Sequence, residues 1–161
     1  SMGHRRIGII SGPVNSFNSQ KRLVGIQQAL FEASIPYNVG TTVIGDWTRE
    51  CGYHAASQLL SQGVTAIYAF SDKMISGVYT YCIEHRISVG KDISLFGFDD
   101  SDIVHAYTPP LASAKPDLQE MGHKAAELVL AQLQGKTVCT KCHVLPCTIH
   151  VRPSVCSIGE A

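Results

Sequence analysis

Charge in excess of either sign is missing from this chain. Its 13 lysines and arginines are balanced by 13 aspartates and glutamates, and charged residues make up only 16% of the total. A nucleic-acid-binding face shows as a basic surplus or stripe, so this segment is not expected to grip DNA itself. No apolar run is long enough to span a bilayer as a helix. Internal repeats and low-complexity tracts are absent, and so are the signatures Gly-x-Ser-x-Gly, the P-loop, Gly-x-Gly-x-x-Gly and His-Glu-x-x-His. The chain therefore announces no nucleophile elbow, no nucleotide cradle and no helical zinc site. There is a single tryptophan, Trp47.

What is present is a hydrophobic content of 45% over 161 residues. That suits a soluble globular core, either one domain or a large fragment of a two-lobed protein. Ser1-Met2 reads as a cloning remnant ahead of the first strand, which places the natural amino terminus upstream. Of the six cysteines, Cys51, Cys82, Cys139, Cys142, Cys147 and Cys156, three fall in apolar or helical patterns or near the tail. Free buried cysteine points to a reducing compartment, so a cytoplasmic location is expected.

Apolar and β-branched runs alternate with helical periodicity. Strands are expected at Arg6–Ser11, Tyr37–Ile44, Val64–Phe70 and Ile93–Phe98, with helices at Ser19–Ser34 (Ser19 as cap), Trp47–Gln62 and Asp72–Glu84. This alternation implies an α/β fold with a doubly wound parallel sheet. Beyond Asp102 the pattern changes. Tyr107-Thr-Pro-Pro-Leu111 breaks regular structure, and Leu111–Ala114 is a short strand candidate. Asp117–Leu133 is an amphipathic helix, followed by strand candidates at Lys141–Leu145 and Thr148–Arg152. The richest stretch is Val89–Asp100: a buried strand ends abruptly at Gly97-Phe98 and opens into Asp99 and Asp100. Open α/β sheets bind ligands at that edge.

Several short motifs occur in order: Gly3-His-Arg-Arg-Ile-Gly-Ile-Ile-Ser-Gly-Pro13, Arg22-Leu-Val-Gly25, Gly45-Asp-Trp47, Ser71-Asp-Lys-Met74, Asp92-Ile-Ser-Leu-Phe-Gly-Phe-Asp-Asp100 and Pro109-Pro-Leu111. Together they resemble the effector-binding core of the lactose-repressor/galactose-repressor family of bacterial transcription regulators, over Gly3 to about Arg152. The resemblance implies a periplasmic-binding-protein-like, two-lobed core that holds a small molecule, often a sugar or its phosphate, between its lobes. It also implies a homodimer, and operator DNA bound through an amino-terminal module absent from this sequence. Residues 3–107 and 141–152 would form the carboxyl-terminal lobe, and 108–135 a crossover strand and helix normally belonging to the amino-terminal lobe. That helix would then need another partner for its apolar face. Val78, Tyr81, Cys82 and Tyr107 are the apolar and aromatic candidates for a dimer contact.

The same resemblance places Arg22 and Asp99 in the cleft. A guanidinium fork suits vicinal hydroxyls or a phosphate, and a carboxylate can accept two hydroxyl protons from one sugar. For Asp100 a structural role is expected, and Asp72 is expected to cap the third helix. Ser71 stands where many relatives carry asparagine and has a shorter reach. Trp47 can stack on a sugar's C–H face, or simply pack at a helix start. Asn15 and Phe17, on the first loop, are further candidates. Pro116 and Leu118 offer no side-chain hydrogen bond. Cys139-x-x-Cys142-His143 with Cys147 and His150 has zinc-like spacing, but Cys147 and His150 would face opposite sides of a strand, so no metal and no cofactor are expected. Two alternatives to a non-catalytic sensor remain at this point: a Mg²⁺-dependent phosphoryl-transfer enzyme using Asp99, Asp100 and Asp102, and a periplasmic sugar-transport protein.

Overall fold

The computed structural model describes residues 2–136 and 142–158. Six strands form one sheet: β1 (Ile7–Ser11), β2 (Thr42–Ile44), β3 (Ala66–Ala69), β4 (Ser94–Phe98), β5 (Ala112–Pro116) and β6 (Cys147–His150). The order is β2-β1-β3-β4-β5-β6, parallel throughout except for β6, which runs antiparallel to β5. Four helices connect or follow the strands: α1 (Phe17–Glu32), α2 (Arg49–Ser61), α3 (Asp72–Glu84) and α4 (Leu118–Leu133). From β1 the chain steps one way to β2, then back across β1 to β3. Right-handed crossovers consequently put α1 on one face and α2 with α3 on the other. The reversal lies between β1 and β3.

The core is the side chains of β1, β3 and β4 and the helix faces above them. Ile9, Ile10, Leu59, Ile67, Phe70, Met74, Ile75 and Leu95 are all essentially inaccessible. Cys82 is buried with them, and desolvation pushes its thiol up to about 11, so it stays neutral. α2 and α3 lie against each other through two glycines. A Cβ at Gly52 would stand 1.9 Å from the Met74 carbonyl oxygen, and one at Gly77 would stand 1.9 Å from that of Arg49.

Three expectations need correction. β2 is shorter than Tyr37–Ile44, because Asn38 accepts a hydrogen bond from Gly40 N at 2.8 Å and folds Val39–Thr41 into a 3-10 turn. The helix cap is Ser16, not Ser19; the Ser19 hydroxyl is buried and donates to Gly12 O at 2.9 Å. Of the expected strand at Lys141–Leu145, Lys141 lies outside the described residues and Cys142–Leu145 forms no strand.

The stretch 108–135 divides. Ala112–Pro116 enters the sheet beside β4, where the small side chains of Ala112, Ser113 and Ala114 are buried. α4 buries none of its residues: Leu118, Val129, Leu130 and Leu133 are 54–79% exposed. In this chain by itself, replacing Leu133 with glutamine is therefore expected to change unfolding free energy by less than about 0.5 kcal/mol. Leu59→Ala in the core is expected to cost about 2–5 kcal/mol. Urea denaturation of the two variants checks the contrast.

Candidate functional site

A hollow of about 740 Å³ lies over the carboxyl ends of the parallel strands, at the point where the strand order reverses. Its wall comes from the segments following four consecutive strands: Asn18 and Arg22 after β1, Trp47 after β2, Phe70, Ser71 and Lys73 after β3, and Asp99, Ser101, Asp102 and Ile103 after β4. A second hollow of about 670 Å³ shares Asp99 and Ser101 and continues over the ends of β5 and β6 past Lys115 and His150. A smaller cavity of about 160 Å³ sits at the opposite end of the sheet near Arg6, Ile7 and Tyr37. The general rule for ligands of open α/β sheets favours the carboxyl edge.

Each wall residue is placed by its local sequence. Gly12 has no side chain, and a Cβ there would lie 2.0 Å from Trp47 Cζ2, so the indole rests directly on the β1–α1 loop. Trp47 itself has φ 70°, in the left-handed region. Asp46 holds this turn by accepting from Thr48 N at 2.9 Å and Thr48 Oγ1 at 2.6 Å, bonds that lower its carboxyl below the usual range. Thr48 then caps α2, which starts at Arg49 rather than at Trp47. Asn18 and Arg22 are four residues apart and share one face of α1. The Arg22 guanidinium carbon lies over the Phe98 ring, 3.5 Å from its centroid, and Nη1 donates to Phe70 O. Stacking and hydrogen bonding together preset it before any ligand arrives.

Asp99 stands beside Arg22 at the end of β4. Burial raises its carboxyl above the ordinary value, Arg22 lowers it, and Asp72 raises it again; the balance is upward. Its side chain is nevertheless exposed on the hollow side, so solvent screens the effect. A carboxyl whose folded pKa exceeds its unfolded one binds more protons in the native state between the two values. Stability then falls as pH rises through that window. Asp99→Asn removes this contribution. Its melting temperature is expected to exceed that of the parent at pH 7, with the gap closing as pH falls through Asp99's pKa toward 4. Calorimetric scans across that range check it, and a gap independent of pH would refute it.

Asp99 and Asp100 adopt φ 115° and 52°. Two consecutive non-glycine residues in that half of the map cost about 1–3 kcal/mol each and persist only where the surroundings over-determine them. The turn sends the two carboxylates in different directions. Asp100, with its side chain 3% exposed, points inward and pairs with Arg152 Nη2 at 2.6 Å, in the structural role expected. Asp72 is not the cap of α3; Ser71 is, accepting from Met74 N at 3.3 Å. Asp72 is 1% exposed and accepts from Ser101 N at 2.7 Å, Ser101 Oγ at 3.0 Å and Ser113 Oγ at 2.7 Å. Burial raises its carboxyl too, against those hydrogen bonds.

The hollow thus brings together Asp99, Arg22, Trp47 and Ser71. It does not include Asn15 or Phe17. The back-bond of Ser19 to Gly12 folds the loop so that Phe17 is 69% exposed, with Lys21 Nζ 5.4 Å from its ring centroid. Lys73, Asn18, Phe70, Ser101 and Ile103 join the wall without having been expected there, and Asp102, named only for the Mg²⁺ alternative, joins it too. Asn18 was discoverable from its spacing to Arg22, and the rest from lying within five residues of a strand end. Among the described residues no group of three His, Cys, Asp or Glu side chains converges for a metal, and Cys139 lies outside them. The hydroxyls of Ser71 and Ser101 in the wall are engaged with Met74 N and Asp72.

Residues 1–155 match the family model of the periplasmic binding protein-like domain. The transcriptional repressor CytR of Escherichia coli (strain K12) is 34% identical over 154 residues, covering 94% of this chain but 45% of the repressor. A sugar-binding transcriptional regulator of the LacI family from Escherichia coli, solved with phosphate, superposes with TM-score 0.89 at 27% identity, covering 98% of this chain and 57% of that one. The Lac repressor dimer, solved bound to operator and the anti-inducer ONPF, gives TM-score 0.88 at 29% identity over 97% of this chain and 54% of the repressor chain. The chain thus spans about half the length of these relatives. Matching along almost its whole length in both sequence and fold, it belongs to the periplasmic binding protein-like domain family, in the form that makes up the core of LacI-type repressors.

Proposed function

We propose that this chain is the effector-holding lobe of a sugar-responsive transcriptional repressor. The observation that carries this reading is the hollow itself: a preset cation, a carboxylate and an indole face one open space at the switch point of the sheet. Arg22 and Asp99 offer donors and acceptors to a ring of hydroxyls, while Trp47 and Phe70 offer apolar faces to its C–H bonds. Such a set holds a sugar or sugar phosphate. The reading needs no nucleophile: the wall hydroxyls have structural partners, Ser71 accepting from Met74 N and Ser101 donating to Asp72. The Mg²⁺ alternative loses its carboxylate cluster, because Asp100 is committed to Arg152.

The remaining parts follow the relatives. Operator DNA is bound by a separate module, consistent with the zero net charge here. The protein works as a homodimer in the cytoplasm. Residues 112–116 and 147–150 form the β5–β6 side of the sheet and α4 buries none of its residues, which supports a second lobe on that side against which α4 packs. Effector binding shifts the balance between two lobe arrangements and so the affinity for DNA.

The test is a panel of sugars and sugar phosphates screened by thermal shift against the full-length protein. A true effector at about a hundred times its Kd adds about 2.7 kcal/mol, a rise of roughly 3–5 °C for a protein about twice the length of this chain. The isolated lobe, offering one wall only, is expected to bind the same compound at least about tenfold more weakly. Absence of any stabilising sugar, or metal-dependent turnover of a phosphate ester, would overturn the assignment.

A further inference from the structure

We propose that Asp72 is a positioning residue: it sets the backbone of the Asp99–Asp100 corner and thereby aims the Asp99 carboxylate into the hollow. The inference rests on the reading of Asp99 as a ligand group, but its own content is conformational. Asp72 opens α3 without capping it, so its buried carboxylate has another task. Oδ2 receives both the amide and the hydroxyl of Ser101, and Oδ1 receives the hydroxyl of Ser113. Ser113 Oγ in turn accepts the Asp100 amide at 3.1 Å, and Asp99 N donates to Ala114 O at 2.9 Å. Three successive amides, those of residues 99, 100 and 101, are therefore pinned to β5 and to Asp72.

This is the over-determination that the two left-handed residues require. The neighbouring strand is shaped for it as well. A Cβ at Gly97 would lie 2.4 Å from Asp72 Oδ1, so β4 leaves the carboxylate its space only by having no side chain there. Because Ser113 belongs to β5, the same bonds tie the ligand corner to the strand that runs on into α4. A group that merely filled the core at this point would not need both carboxylate oxygens. Asparagine could accept from the Ser101 pair, but its NH₂ would meet a Ser113 hydroxyl that must then turn away from it.

The test is made on the ligand-free chain by NMR, with Asp72→Asn, Asp72→Ala and Ser113→Ala. Three-bond HN–Hα couplings of Asp99 and Asp100 report φ, and hydrogen exchange at Ser101 reports its amide bond. In Asp72→Ala both couplings are expected to leave their parent values and the Ser101 amide to exchange at least about tenfold faster, the loss of one hydrogen bond of about 1.5 kcal/mol. Amides of β1 and β3 should stay protected. Asp72→Asn, which keeps the Ser101 bonds, should hold the Ser101 amide near its parent rate. Ser113→Ala is expected to move the Asp100 coupling alone. Should Asp72→Ala fail to fold, Ser101→Ala joins Ser113→Ala to decide the matter, each removing one hydrogen bond to the carboxylate. Parent couplings in the folded variants would overturn the proposal. Failure of the ligand reading shows elsewhere, as unchanged sugar affinity in Asp99→Ala.

Discussion

Replacing Asp99 with alanine is expected to abolish effector binding by the full-length protein, with a loss of at least about 100-fold. A hydrogen bond to a charged acceptor contributes about 1.5–3 kcal/mol, and a carboxylate facing two hydroxyls makes two of them. About 3–6 kcal/mol is then at stake, which is two to four decades in Kd. The fold should survive, because the side chain is exposed and the Asp99 backbone amide, which donates to Ala114 O, is kept. Alanine at φ 115° carries some strain of its own. Asp99→Gly removes the carboxylate without that strain and serves as the companion variant. Calorimetric titration with the effector, alongside a circular-dichroism melt, separates the two effects. Parent affinity in both variants would remove Asp99 from the site.

Gly77→Ala is expected to destabilise the fold by about 3 kcal/mol or more, at the upper end of what overpacking costs. A single methyl group would meet the Arg49 carbonyl at 1.9 Å and Tyr53 N at 2.7 Å. Both are backbone atoms and cannot rotate aside, so α2 and α3 must separate. For a chain of this size the melting temperature should drop by roughly 6–12 °C. Gly52→Ala, meeting the Met74 carbonyl from the opposite helix, should behave alike. Gly25 supplies the control: it lies mid-helix in α1, a methyl group there would find nothing within 4 Å, and Gly25→Ala should stabilise by about 0.5–1 kcal/mol. Guanidinium denaturation of the three variants measures the contrast. Equal stability of Gly77→Ala and parent would mean that the helix pair is looser than described.

The sheet and its order of elements are legible because periodicity is a local signal. Asp72–Glu84 has the very limits expected of the third helix, and the strand ending at Phe98 is visible from its apolar run and abrupt acidic stop. The antiparallel sense of β6 is not legible, since pairing direction depends on a return path that no single segment encodes. Within the site, Asp99, Arg22, Trp47 and Ser71 can be placed by motif and strand-end position. Asn15 and Phe17 cannot, because which way their loop folds depends on the Ser19 hydroxyl bonding back to Gly12. Asp72 is hidden for a related reason. An acid at the first position of a helix looks like a cap, and only the convergence of Ser101 and Ser113 on its carboxylate shows a long-range task.

The lone indole has a practical corollary. Trp47 stands in the wall of the hollow, pressed on Gly12, and no other tryptophan exists in the chain. Emission excited at the red edge of the absorption band therefore originates at one spot, within reach of whatever enters. This chain carries its own optical reporter of the hollow, and a titration of it with candidate ligands can be followed by colour and intensity of that light with no dye attached.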